Sequence, residues 1–124
     1  MNLTDLTLYS NKISELSGLE KLTKLNVLSL GNNLIKDYQG EKGVITYLKN
    51  LNNKLEVLTL MGNECSKDSS LKLYAIAFLD KLKYYDYELI DKTIRGQAFD
   101  KFEDLIKDEE AKKQSSEKND ENND

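Results

Sequence analysis

The segments LNVLSLGNN (25–33) and LEVLTLMGN (55–63) are one nine-residue phrase, L-x-x-L-x-L-x-x-N, written twice. Working outward, LTDLTLYSN (3–11) repeats it upstream, and Leu82, Tyr85, Tyr87 and Ile90 keep a degenerate fourth copy downstream. The starts lie 22, 30 and 27 residues apart. Alternate residues of a strand face alike, so L-x-L sets two leucines on one side of a short strand. Tandem copies then stack those leucines into a continuous core and the strands into a parallel sheet. Asn11, Asn33 and Asn63 stand where the backbone turns after each strand. Their amides can satisfy turn groups that would otherwise be buried unpaired, which predicts an asparagine ladder. A leucine-rich helical domain is the alternative. Three copies with the asparagine in register count against it.

This is the leucine-rich repeat pattern. The expected fold class is α/β: a solenoid with short parallel strands on its concave face and helices or 3-10 turns on its convex face. The spacing of Val44, Tyr47, Leu48 and Leu51 predicts a helix within 40–51, and Leu73, Ile76 and Ala77 predict another within 68–79, N-capped by Asp68 or Ser69. The first interval carries Ile13, Leu16, Leu19 and Leu22, spaced for 3-10 turns. The repeats occupy 1–90, with a cap motif over 74–90. A last helix is expected over 91–113, with Ile94, Ala98, Phe102, Leu105 and Ile106 on one face. Residues 114–124 lack any apolar side chain and are expected to form a disordered acidic tail.

Composition excludes several functions. The 124 residues include no histidine, one cysteine (Cys65) and one arginine (Arg95), with a net charge of −4. Histidine is the commonest general base and metal ligand, and a lone cysteine forms neither an internal disulfide nor a thiolate cluster. A reducing, cytoplasmic compartment fits. Nucleic acid needs a basic face, which this balance does not supply. No run of 18 apolar residues suggests a membrane span, and the start has no signal-peptide pattern, so the Asn2-Leu3-Thr4 sequon reads as chance. Residues 107–124 hold seven acidic residues and four lysines, which leaves the first 106 residues nearly neutral.

The stretch YAIAFLDKLKYYD (74–86) resembles the leucine-rich-repeat C-terminal cap, in which an aromatic residue and a helix lead into L-x-x-L-x-x-L-D. Tyr74, Leu79, Leu82, Tyr85 and Asp86 take its key positions. That cap is shared by the phosphatase-1 regulatory leucine-rich protein, the spliceosomal A′ protein and axonemal dynein light chain 1. NVLSLGNNLI (26–35), VITYLKNL (44–51), LEVLTLMGNECSKD (55–68) and LKYYDYELID (82–91) look most like the family of dynein regulatory complex subunit 3. The resemblance implies a non-catalytic scaffold of the ciliary or flagellar axoneme, in a hetero-oligomeric assembly with other regulatory-complex subunits. It implies no cofactor. That family carries more repeats before this segment and a coiled coil after it, so a fragment, a split gene product or a shortened paralogue is expected. The alternatives are a soluble adaptor regulating an enzyme such as phosphatase-1 and a motor-binding subunit like dynein light chain 1.

No catalytic motif, metal-ligand spacing or phosphate loop is present. Cys65 falls where repeats bury an apolar side chain, so it reads as a packed thiol. The variable positions of the repeat remain, pointing away from the core. One column reads Asp5, Val27, Val57 and Tyr84; the next reads Thr7, Ser29, Thr59 and Asp86; the third reads Tyr9, Gly31, Met61 and Glu88. Strand propensity alone favours valine and threonine. An aligned apolar stripe on a solenoid nevertheless points to a protein partner.

Overall fold

The computed structural model describes residues 3–51 and 54–121, with side chains to residue 112. Asn2 of the sequon and residues 122–124 of the expected tail lie outside the described residues. Strands β1 (Asp5–Thr7), β2 (Val27–Ser29), β3 (Val57–Thr59) and β4 (Tyr84–Tyr85) pair in parallel, and β5 (Glu88–Leu89) closes the sheet antiparallel to β4. The fold class read from the repeats is the one the structure has. Leu28 and Leu58 are partners in the ladder, as are Val27 and Val57, so successive repeats stack without slippage. Leu25, Leu28, Leu30 and Ile35 of one turn lie over Leu55, Leu58, Leu60 and Cys65 of the next, all at 3% exposure or less.

The convex side carries α1 (Val44–Leu51) and α2 (Leu71–Phe78), and a 3-10 turn at Glu64–Lys67 leads from β3 into α2. Helix α1 buries Val44, Ile45 and Leu48, with Tyr47 and Leu51 at the margin. Helix α2 is rotated from its expected face. It buries Leu71, Tyr74, Ala75 and Ile76, while Leu73 and Ala77 are half-buried, because the Tyr74 ring is drawn into an aromatic cluster. Asp68 supports its start, accepting the Ser70 N–H at 2.8 Å, whereas the Ser70 hydroxyl makes no capping bond. The first interval forms turns, with Leu22 N–H bonded to Leu19 C=O and Leu25 N–H to Leu22 C=O. These are 3-10-type bonds that do not propagate into a 3-10 helix.

The fourth copy departs from the repeat. Tyr85 is buried, but Tyr87 is 72% exposed instead of reaching the core. Asp86 and Tyr87 both have positive φ, 47° and 69°, the requirement of the two-residue turn that suits a hairpin. The chain therefore turns back at Asp86, and Ile90 does not take up an asparagine's role. Helix α3 (Lys92–Glu121) follows, N-capped by Asp91, whose carboxylate accepts the Ile94 N–H at 2.8 Å. It runs past the expected end at Lys113 into the segment read as a disordered tail, and it kinks at Phe102 (φ −114°, ψ 18°). Ala98 is fully buried and Ile94, Phe102 and Ile106 are half-buried, but Leu105 is 46% exposed and is not a docking residue. The Arg95 guanidinium ties the helix down by donating to the carbonyls of Ile76 and Leu82.

Candidate protein-binding face

The asparagines set the turn that ends each strand. Asn33 Nδ2 donates to its own Leu30 and Gly31 carbonyls and to Leu8 of the preceding turn, and its Oδ1 accepts the Ile13 N–H. Asn63 does the same one repeat on, donating to Leu60 and Leu30 and accepting from Ile35 N–H. Both are buried. Asn11 is exposed and bonds only within its own turn, to the Leu8 and Tyr9 carbonyls. The residue before each asparagine sits at positive φ: Ser10 at 57°, Asn32 at 54° and Gly62 at 80°. At Gly62 glycine takes this conformation without strain, and a Cβ there would stand 1.8 Å from Asn32 Oδ1, so the Asn32 amide would have to move.

With every turn fixed in this way, the sheet presents its columns in register. Asp5, Val27, Val57 and Tyr84 are successive ladder partners, and Leu89 of β5 pairs with Tyr84. Directly opposed residues share a face, so the apolar row runs from Val27 through Val57 and Tyr84 to Leu89. Val27 and Val57 are half-buried by their neighbours, whereas Tyr84 is 43% and Leu89 61% exposed. Leu89 escaped the sequence reading because the Asp86-Tyr87 hairpin lacks the glycine that marks such turns.

The second column is less accessible than expected. Thr7 is exposed and Ser29 half-buried, but Thr59 is buried at 3% exposure, so it offers no contact to a partner. Asp86 is not a free acidic end to this column. Its backbone N–H bonds Leu58 C=O, and its Oδ1 accepts the N–H groups of Leu60 at 2.7 Å and Met61 at 3.2 Å. The carboxylate takes the place of a further repeat by satisfying the end of β3. Glu88 likewise leaves its column and pairs with Lys72 at 2.5 Å, which holds its carboxyl below the ordinary range. In the third column Tyr9 and Met61 are exposed, and the Tyr9 ring lies against Gly31, where a Cβ would come within 2.8 Å. Asn32 Nδ2 donates to the Tyr9 hydroxyl at 2.7 Å and pins the ring.

The cap closes the far end. Tyr74 meets Tyr38, Phe78 and Phe102 with ring centroids 5.2, 4.6 and 5.3 Å apart, and Leu79, Leu82 and Tyr85 are buried beneath. Burial pushes the Tyr85 phenol and the Cys65 thiol up, so both stay protonated as packing groups. Among the described residues no cluster of His, Cys, Asp and Glu could hold a metal ion. No described helix is long and apolar enough to cross a membrane.

Residues 2–40 match the family model for leucine rich repeats (2 copies). A chain in the crystal structure of the Drosophila melanogaster SNF/U2A' complex superposes with a TM-score of 0.68 at 24% identity, over 86% of this chain and 62% of that one. This is a leucine-rich repeat fold. The chain thus spans less than two thirds of the length of that structural neighbour, and at this identity the likeness is one of fold. No curated protein matches the sequence. Neither the family model nor this neighbour's title names a ciliary or dynein protein.

Proposed function

We propose that this leucine-rich repeat chain is a non-catalytic protein-binding scaffold whose concave face receives its partner. The observation that carries this is the in-register row Val27, Val57, Tyr84 and Leu89, flanked by exposed Tyr9 and Met61. A row of half-buried valines leading to exposed Tyr84 and Leu89, held by a rigid ladder, is pre-organised for a partner and loses little entropy on binding. The partner-bound assembly is placed in the axoneme, with regulatory-complex subunits as neighbours, on the strength of the segments 26–35, 44–51, 55–68 and 82–91 that resemble the dynein regulatory complex subunit 3 family. A soluble adaptor is the competing reading, supported by the cap that adaptors of this kind share.

Expression of a tagged copy in ciliated cells separates the two. An axonemal scaffold stays with axonemes after detergent demembranation, whereas an adaptor is released. The Val57→Glu/Tyr84→Glu double variant is expected to keep its circular dichroism and lose retention. A control pair away from the strands, Lys42→Glu with Lys112→Glu, is expected to be retained. Lys49 and Lys72 do not serve as controls, because they pair with Glu109 and Glu88. Release of the wild-type chain overturns the axonemal placement, and equal retention of both variants overturns the concave face.

A further inference from the structure

Each of the last three repeat copies sets a lysine immediately before its first leucine: Lys24 before Leu25, Lys54 before Leu55 and Lys81 before Leu82. The strands that follow are paired in register, so these lysines recur once per strand, at steps of about 4.8 Å. They form a row along the edge where the chain enters the sheet. All three are exposed and line one groove of about 510 Å³, which also holds Asp5 and Glu56. A second depression of about 530 Å³ shares Glu56 and Lys81 with the first and continues past Lys83 to Tyr84 and Leu89. The two together carry five cations against three carboxylates, on a chain whose net charge is −4. Glu56 is already matched by Lys83 at 3.4 Å. The basic strip thus runs beside the apolar row and meets it at Tyr84.

We propose that this edge selects acidic side chains: the concave partner is an extended peptide that lays apolar residues on Val27, Val57 and Tyr84 and presents carboxylates to Lys24, Lys54 and Lys81. The inference rests on the concave reading and adds the partner's chemistry. Same-facing residues of an extended peptide recur at about 6.8 Å, so four or five residues span the lysine row of about 10 Å while the alternate residues face the stripe. Charge complementarity of this kind sets partner choice and association rate, and the apolar row supplies the buried area. A continuous phosphate backbone fits less well. Asp5, Glu56 and Asp80 interrupt the lysines, and the single arginine, Arg95, is committed to two backbone carbonyls.

The test selects binders from a phage-displayed library of random dodecapeptides on the immobilised full chain. Selected sequences are expected to contain aspartate and glutamate at least twofold above the input, interleaved with aliphatic or aromatic residues. A synthesised winner should lose at least fivefold in affinity between 50 and 300 mM salt, and at least tenfold on the folded Lys54→Gln/Lys81→Gln variant. Selection of neutral or basic peptides, or no enrichment at all, overturns the proposal. If the winner's affinity survives Lys54→Gln/Lys81→Gln but is lost on Val57→Glu/Tyr84→Glu, the acidic preference fails while the concave face stands. If neither variant weakens the winner, both readings fail. A dodecamer of oligouridylate that binds more tightly than any peptide through the same lysines also overturns the proposal, in favour of nucleic acid.

Discussion

Asn33 and Asn11 occupy the same repeat position, yet the structure gives them different work. Asn33 is buried and holds groups of two successive turns, whereas Asn11 is exposed and serves only its own turn. Asn33→Ala strands buried carbonyls and the Ile13 N–H, so a loss of about 1–3 kcal/mol is expected. Asn11→Ala should cost under about 1 kcal/mol, since water replaces its amide. Urea denaturation midpoints of the two variants check this, and equal midpoints would remove the ladder as a stabilising device. Tyr38 gives a pH prediction. Burial, reinforced by the hydroxyl's 2.8 Å bond to the Asp68 carboxylate, pushes its phenol up to about 12. A folded pKa above the unfolded value near 10 means that the contribution is complete below about pH 10 and is lost as pH rises towards 12 and beyond. Stability measured between pH 9 and 12 should fall more steeply in the wild type than in Tyr38→Phe.

At the scale of elements, α3 is the piece whose role the repeats alone do not announce. It packs on α2 through fully buried Ala98, through Phe102 against Tyr74, and through the Arg95 guanidinium. Ending the chain after Asp91 uncovers Tyr74, Phe78 and the carbonyls of Ile76 and Leu82, so a lower midpoint and poorer solubility are expected. Ending it after Lys113 should leave the midpoint unchanged, because these contacts all lie before that residue. Equal behaviour of the two truncations, measured by thermal melting, would mean that α3 does not seal the cap. The strands were legible because L-x-x-L-x-L-x-x-N fixes period, register and turn together. The helices were legible as elements but less so as faces: Leu73 gave way to Tyr74, since a large aromatic finds its partners across elements that no local period encodes. The turn at Asp86 was illegible for a related reason. Its positive φ values fall on Asp86 and on Tyr87, where such a turn ordinarily has glycine after the aspartate, so Asp86 and Glu88 read as face residues and Leu89 was missed.

Across the whole molecule, each repeat stacks on its neighbours, so stability is close to a sum of turns and the interfaces between them, with the Lys49–Glu109 pair tying α1 to α3. Burial along the array is uneven in a way this arithmetic turns into dynamics. Leu6, Leu8 and Ile13 of the first turn are half-buried, while Leu28, Leu30 and Ile35, and then Leu58, Leu60 and Cys65, are sealed. Strand β1 stands at the edge of the sheet, with β2 on one side only. At the other end, β3 is held on both sides, and the Asp86 carboxylate fastens its exit. Opening should therefore cost least at β1 and rise through β2 to β3. In hydrogen exchange on the 124-residue chain, the Leu8 amide, bonded to Ser29 C=O, is expected to exchange about 10- to 100-fold faster than the Leu30 amide, bonded to Thr59 C=O. The Leu60 amide should be at least as slow as Leu30. Equal rates at all three would show that the array opens as one cooperative unit. The interfaces between turns would then outweigh the differences in burial, and the concave row would form or vanish as a whole rather than fray from β1.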